Sequence, residues 1–155
     1  MSDQAPVFSI EKIYVKDLSI ELPNAPQCFT EKDPANIEVQ LQSAGTAVGD
    51  GLFQAVLTVT VSAKIGDKTQ FLVEAAQAGI FQIRNVPQAD MEPVIAIACP
   101  NILFPYVRET ISDAISRAGF PPVLLAPVNF EALYQQRLAQ QMAQQPQGTS
   151  GITVQ

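Results

Sequence analysis

Between Phe8 and Leu22 apolar and polar residues alternate, but the parity changes twice on the way. Phe8 and Ile10 share one parity, Ile13 and Val15 take the other, and Leu18, Ile20 and Leu22 return to the first. A regular strand keeps one parity because successive side chains point to opposite faces. The pattern therefore predicts a bulged or bent strand, whose last part sets Asp17, Ser19 and Glu21 against Leu18, Ile20 and Leu22. The stretch PNAPQCFTEKDPAN (23–36) is rich in Pro and Asn and predicts a long crossing loop. Residues 37–42 alternate without fault, with Ile37, Val39 and Leu41 on one side, and GTAVGDG (45–51) predicts the next turn. Two longer alternations follow: Phe53, Ala55, Leu57, Val59, Val61, Ala63 and Ile65, then Phe71, Val73, Ala75 and Gln77 with Leu72, Glu74 and Ala76 opposite.

The turn IGDKT sets how these last two strands pair. A bare two-residue loop would oppose odd positions to even ones and bring the main apolar row beside Glu74, since a slip of one residue exchanges faces. A three-residue loop, Gly66 to Lys68, pairs Ala63 with Phe71, Val61 with Val73 and Val59 with Ala75. The apolar faces then coincide, and this alignment is the one expected.

The period then changes from strand to helix. Val107, Ile111, Ala114, Ile115 and Ala118 predict a helix over about 102–118, with Pro100 and Pro105 near its start and Gly119 at its end. Three prolines keep FPPVLLAPVN (120–129) extended. Asn129 predicts the N-cap of a second helix, with Glu131 in its first turn and Phe130, Leu133, Tyr134, Leu138 and Met142 along one face. Strands first and helices last is the α+β signature: a four-stranded antiparallel sheet with two C-terminal helices on one face. One domain over 1–145 is expected, followed by a disordered tail over 146–155.

Charge narrows the partners. The net charge is −6 and the few cations are scattered, so no basic footprint exists for a nucleic acid. An acidic surface suits a basic protein partner instead. The chain has two cysteines, Cys28 and Cys99, and no His. That set makes neither a zinc site nor a His-based catalytic triad or dyad; the thiols read as reduced cysteines of a cytosolic protein. No phosphate-cradling glycine loop occurs, so no cofactor is expected. Asp17 and Glu21 are about 13 Å apart at strand rise, beyond the usual span of a glycosidase carboxylate pair. A docking role, not an enzyme, is the expectation. MSDQAPVF lacks the basic and apolar regions of a signal peptide, and the longest apolar run, Val94 to Cys99, is too short for a membrane span. A cytoplasmic location follows.

Three stretches carry a resemblance: IYVKDLSIELPNAP, FLVEAAQAGIF and, above all, CPNILFPYVRETISDAISRAGFPPVLLAPVNFEALY. In that order they resemble SecB, the bacterial protein-export chaperone family, from about Phe8 to Leu138. The resemblance implies a homotetramer, a dimer of dimers, that binds unfolded precursor proteins along apolar grooves and delivers them to the translocase ATPase SecA without using nucleotide. It assigns SecA docking to Asp17, Glu21, Leu72 and Glu74, the outward positions of the first and fourth strands. It assigns client binding to Phe29, Phe104, Tyr106, Phe130, Leu133, Tyr134 and Leu138, and subunit contacts to Val73, Ala75, Gln77, Ala114 and Ala118. A buried Gln77 amide needs partners, which a neighbouring subunit can supply. Family chains often carry a Trp in the crossing loop; here EKDPAN has Pro34 at that place, which implies a groove of different shape at that end.

Other readings fit some of the same residues. Leu133, Tyr134 and Leu138 equally describe a plain amphipathic helix packed on a sheet. A SecB-like chaperone dedicated to a toxin–antitoxin pair would share the fold but prefer one client. A small-molecule-binding α+β domain would show saturable ligand binding and no affinity for denatured chains.

Overall fold

In the computed structural model, which describes residues 4–144, four antiparallel strands form one sheet in the order β1-β4-β3-β2. They are β1 (Val7–Glu21), β2 (Asn36–Gly49), β3 (Leu52–Ile65) and β4 (Lys68–Arg84). The segment 146–155 lies outside the described residues.

The parity changes in β1 are bulges. Its pairing with β4 shifts between Ile10 and Lys12 and again between Val15 and Asp17, which leaves Glu11 and Lys16 as the extra residues. Each bulge restores the face of the apolar residues that follow. Phe8, Ile10, Ile13, Val15, Leu18 and Ile20 accordingly sit opposite Ile83, Phe81, Gly79, Gln77, Ala75 and Val73, all on one face of the sheet. The crossing loop then carries the chain from the β1 edge to the opposite edge, where β2 begins. Asn24 Nδ2 donates to the Thr69 carbonyl at 2.8 Å and ties the loop to the end of the sheet.

Two turn expectations need correction. β2 does not stop at Gln42: it runs through the GTAVGDG stretch to Gly49, because Ala44 to Ala47 continue the ladder with Val56 to Phe53. Pairing along the strand outweighs the local turn preference. Between β3 and β4 the expected alignment is present, with Ala63 opposite Phe71, Val61 opposite Val73 and Val59 opposite Ala75. The means is different. Ile65 pairs with Lys68, so the turn has only the two residues Gly66 and Asp67, and a bulge at Gln70 supplies the one-residue shift. Gly66 has φ +60°, in the left-handed region that glycine adopts without strain.

The helix begins earlier than its spacing predicts. It runs as α1 (Gln88–Pro93), a π-helical turn (Val94–Ala98) and α2 (Cys99–Arg117). Proline clashes with the carbonyl four residues before it. The residue four before Pro100 is Ala96, inside the π turn, where the backbone is wider and Cys99 N–H reaches back five residues to the Val94 carbonyl. Pro105 is thus interior rather than near a start. Gly119, at φ +96°, ends α2 as expected: its N–H donates to the Ser116 carbonyl and the Phe120 N–H to that of Ile115. After the extended connector, Asn129 Oδ1 accepts from the Ala132 N–H at 2.9 Å and caps α3 (Phe130–Gln144).

The core lies between α2 and the central strands. Cys99, Leu103, Val107, Ile111 and Ile115 recur every fourth residue, and all are buried against Leu57, Val59, Val61, Val73 and Phe81. Leu103 Cδ2 fills the space that Gly79 leaves open on β4, 3.1 Å from where a Cβ would stand. By length and composition the 30-residue helix Gln88–Arg117 is long and apolar enough to cross a membrane. In this fold the helix's apolar stripe is the core of the domain.

Candidate functional site

α2 packs mainly on the two central strands and leaves much of both edge strands exposed on the same face. Along β1, the exposed large apolar residues are Phe8, Ile10, Val15, Leu18 and Ile20; along β2 they are Ile37 and Val39, which are 41% and 47% exposed, and Val48 at the bulge near the strand's end. Two apolar flanks therefore run beside the helix. A solvated edge strand normally carries Lys or Pro to discourage pairing. β2 has neither, and Glu38 is its one charged residue.

Three cavities open beside β2 on its helix-bearing side. The first, about 420 Å³, lies between the middle of β2 and α3 and includes Leu41, Ser43, Ala96, Leu133 and Tyr134. It shares Ser43, Ala44, Ala96 and Arg137 with a second, about 390 Å³, that reaches Gly45, Met91 and Ile95. The gap exists because α3 leans on the π turn and not on the strand. The π turn itself touches β2 through Gly45, where any Cβ would collide with Ile95 Cγ2. The third cavity, about 340 Å³, lies at the start of β2 under the crossing loop, with Ile37, Phe71 and Phe120 as apolar walls and Glu31 and Asp33 beside them. Gln70, the bulge residue, lines it too; its Nε2 is buried and has no hydrogen-bond partner among the described residues.

The residues expected to bind clients are divided among these places. Phe29, half exposed, stacks on Phe120 with ring centroids 5.1 Å apart, next to the third cavity. Leu133 is exposed on the wall of the first cavity, beside Tyr134, and Leu138 is half-buried further along α3. Tyr106 is exposed on α2. Phe104 and Phe130 are both buried in the single chain, edge to face at 5.9 Å, and of the two Phe130 also lines the first cavity. Tyr134 is buried on one side, and its phenol is pushed above its ordinary pKa by that burial and by the Glu92 carboxylate beside it, with Arg137 opposing.

On the other face, Asp17, Glu21, Leu72 and Glu74 do come together. Glu21 pairs directly with Leu72, Glu74 pairs with Ser19, and Asp17 lies one step further along β1 on the same face. The Thr60 hydroxyl donates to Glu74 Oε1 at 2.8 Å and steadies that carboxylate. Leu72 is a half-buried apolar side chain among acids, at the side of a shallow cavity of about 310 Å³.

The residues expected at subunit contacts lie largely inside the single chain. Val73, Ala75 and Gln77 are buried beneath the chain's own α2, with Gln77 3% exposed. Gln77 Nε2 donates to the Tyr14 carbonyl at 3.3 Å, and Gln77 Oε1 accepts from the Thr110 hydroxyl at 3.1 Å. The amide thus finds its partners inside one chain, which corrects the argument that it needs a neighbour. Ala114 is buried and Ala118 half-buried on α2. Cys99 is buried in the core, and that burial pushes its thiol up to about 12, so it stays protonated and unreactive. The exposed row on β1 is what sequence reasoning missed: its alternation was legible, but not that no helix covers it.

The sequence profile of the family described as Preprotein translocase subunit SecB matches residues 1–141. A protein-export protein SecB of Chromobacterium violaceum is 63% identical over 144 residues, covering 91% of this chain and 96% of the relative. One from Thiobacillus denitrificans is 56% identical over 154 residues, covering 99% of both. Among solved structures, a Mycobacterium tuberculosis SecB-like chaperone in complex with an antitoxin peptide superimposes with a TM-score of 0.65 at 16% identity, covering 78% of this chain and 90% of that one. At that identity the likeness concerns the fold.

Proposed function

The chain belongs to the SecB family of protein-export chaperones, and we propose that it acts in the cytoplasm as a homotetrameric holdase that binds unfolded precursors and delivers them to SecA. The observation that carries this reading is the pair of apolar flanks left exposed beside α2, one along β1 and one along β2. An isolated domain has no use for Phe8, Ile10, Val15, Leu18 and Ile20 in water, and burial of such a row is worth about 25 cal/mol per Å². The β1 flank, on a free sheet edge, fits contact between subunits and takes the place of Val73, Ala75 and Gln77 in that role. The β2 flank, with its cavities and the half-exposed Phe29, fits the client. Binding of this kind needs no reaction and no nucleotide, because apolar burial is non-directional and tolerates varied sequences.

Delivery rests on the opposite face. Asp17, Glu21 and Glu74 around Leu72 would meet a basic segment of SecA, with Leu72 as the apolar anchor and the carboxylates raising the encounter rate. Clients and SecA then occupy opposite faces of one sheet and do not compete. Replacing Asp17 and Glu21 together by Lys is expected to lower SecA affinity at least tenfold in titration calorimetry at low salt, with client affinity unchanged. Wild-type affinity in that variant would overturn the docking assignment.

A further inference from the structure

On the outward face of the sheet, beside the acidic row, we infer that Gln54 is a positioning residue for SecA docking, which draws the Lys16 ammonium away from Asp17, Glu21 and Glu74. The inference rests on the docking reading above and adds what keeps those carboxylates free for a basic partner. Lys16 is the extra residue of the second β1 bulge and immediately precedes Asp17. It is exposed, and its flexible stem could carry the charge back over the acids beside it. Instead, Lys16 Nζ donates to Gln54 Oε1 at 3.3 Å, and no ion pair joins Lys16 to a carboxylate among the described residues.

The register shows how far this moves the charge. Asp17 stands opposite Ala76 and Ala76 opposite Thr58, whereas Gln54 lies four residues from Thr58 along β3. At strand rise that separation is about 13 Å, more than the Debye length of about 8 Å at physiological salt. A lysine beside the row would compete with a basic segment for the carboxylates; one drawn to the level of Gln54 is screened from them.

Gln54 is itself held in place. The Tyr14 hydroxyl donates to the same Oε1, so the phenol crosses β4 to reach from β1 to β3. Ala78, opposite Tyr14, is fully buried although its row faces outward, which is where the crossing ring lies. From the helix side, Gln77 Nε2 donates to the Tyr14 carbonyl at 3.3 Å. Tyr14 is thereby fastened through both backbone and ring, and it orients Gln54 as an acceptor for Lys16. The Lys16 bond is exposed and adds little to the fold. Its effect is on where the charge sits.

Titration calorimetry with SecA at low salt, on Gln54→Val with and without Lys16→Met, tests this. Val suits a strand and offers no acceptor. Gln54→Val is expected to weaken SecA binding about three- to tenfold, because Lys16 is then free to fold back on Asp17. Client affinity and thermal melting stay unchanged. Adding Lys16→Met restores SecA affinity at least to the wild-type value, a rescue that a merely structural role for Gln54 would not show. Wild-type affinity in Gln54→Val would overturn the inference and leave the docking reading intact. A loss that Lys16→Met does not relieve, or one shared by client binding, would do the same. Wild-type affinity after both Asp17 and Glu21 are replaced by Lys would bring down the docking reading, and the inference with it.

Discussion

Replacing Ile37 and Val39 together by Thr weakens binding of an unfolded precursor by about ten- to thirtyfold and leaves the folded protein nearly as stable as before. Each side chain is somewhat over half covered in the free chain, at 41% and 47% exposed, and in the proposed complex a client would cover the rest. Full burial of an Ile or Val is worth about 1.5–3 kcal/mol, so the remaining part is about 1 kcal/mol at each position. Together these make about 2 kcal/mol, and a tenfold change in affinity corresponds to about 1.4 kcal/mol. Thr keeps the β-branch that suits a strand, which confines the change to apolar contact. Fluorescence titration against a labelled, urea-unfolded precursor reads the affinity, and thermal melting reads the fold. Unchanged affinity would remove β2 from the client site.

The second large effect is on stability. Leu103→Ala costs about 2–5 kcal/mol, the range for emptying a fully buried leucine site. Leu103 is 0% exposed and fits into the gap at Gly79, where the backbone of a strand cannot close in after it. The helix stripe and the two central strands meet at that residue, so the site has little freedom to collapse. Urea unfolding at one fixed protein concentration measures the loss, since the proposed assembly would make stability concentration-dependent. A cost below about 1 kcal/mol would mean that α2 does not pack on the sheet as described.

The sheet was largely legible in the sequence because strand patterning is local and has a period of two. The parity changes at Ile10–Ile13 and Val15–Leu18 located both β1 bulges, and face matching fixed the β3–β4 alignment. What patterning could not reveal was the device behind that alignment: a three-residue turn and a two-residue turn with a bulge at Gln70 give the same pairing further along. The helix start was hidden for a related reason. Pro93, Pro100 and Pro105 argue against a continuous helix, and the π turn that accommodates Pro100 has no signature in the local pattern. Of the candidate site, alternation showed which way Asp17, Glu21, Leu72 and Glu74 face, while their selection as one set came from the family resemblance. The packing of Phe104 on Phe130 was not legible, because helical spacing shows which residues share a side but not that two aromatic rings on different helices meet. Gln77 had its partners on Tyr14 and Thr110, 63 and 33 residues away, beyond any local pattern.

Size-exclusion chromatography with light scattering tests the central claim most directly, run on the protein alone and after adding a urea-unfolded precursor diluted into buffer. The account predicts a tetramer's mass that co-elutes with the unfolded precursor and ignores the same polypeptide once it has folded. A monomer, or a tetramer indifferent to unfolded chains, would contradict it.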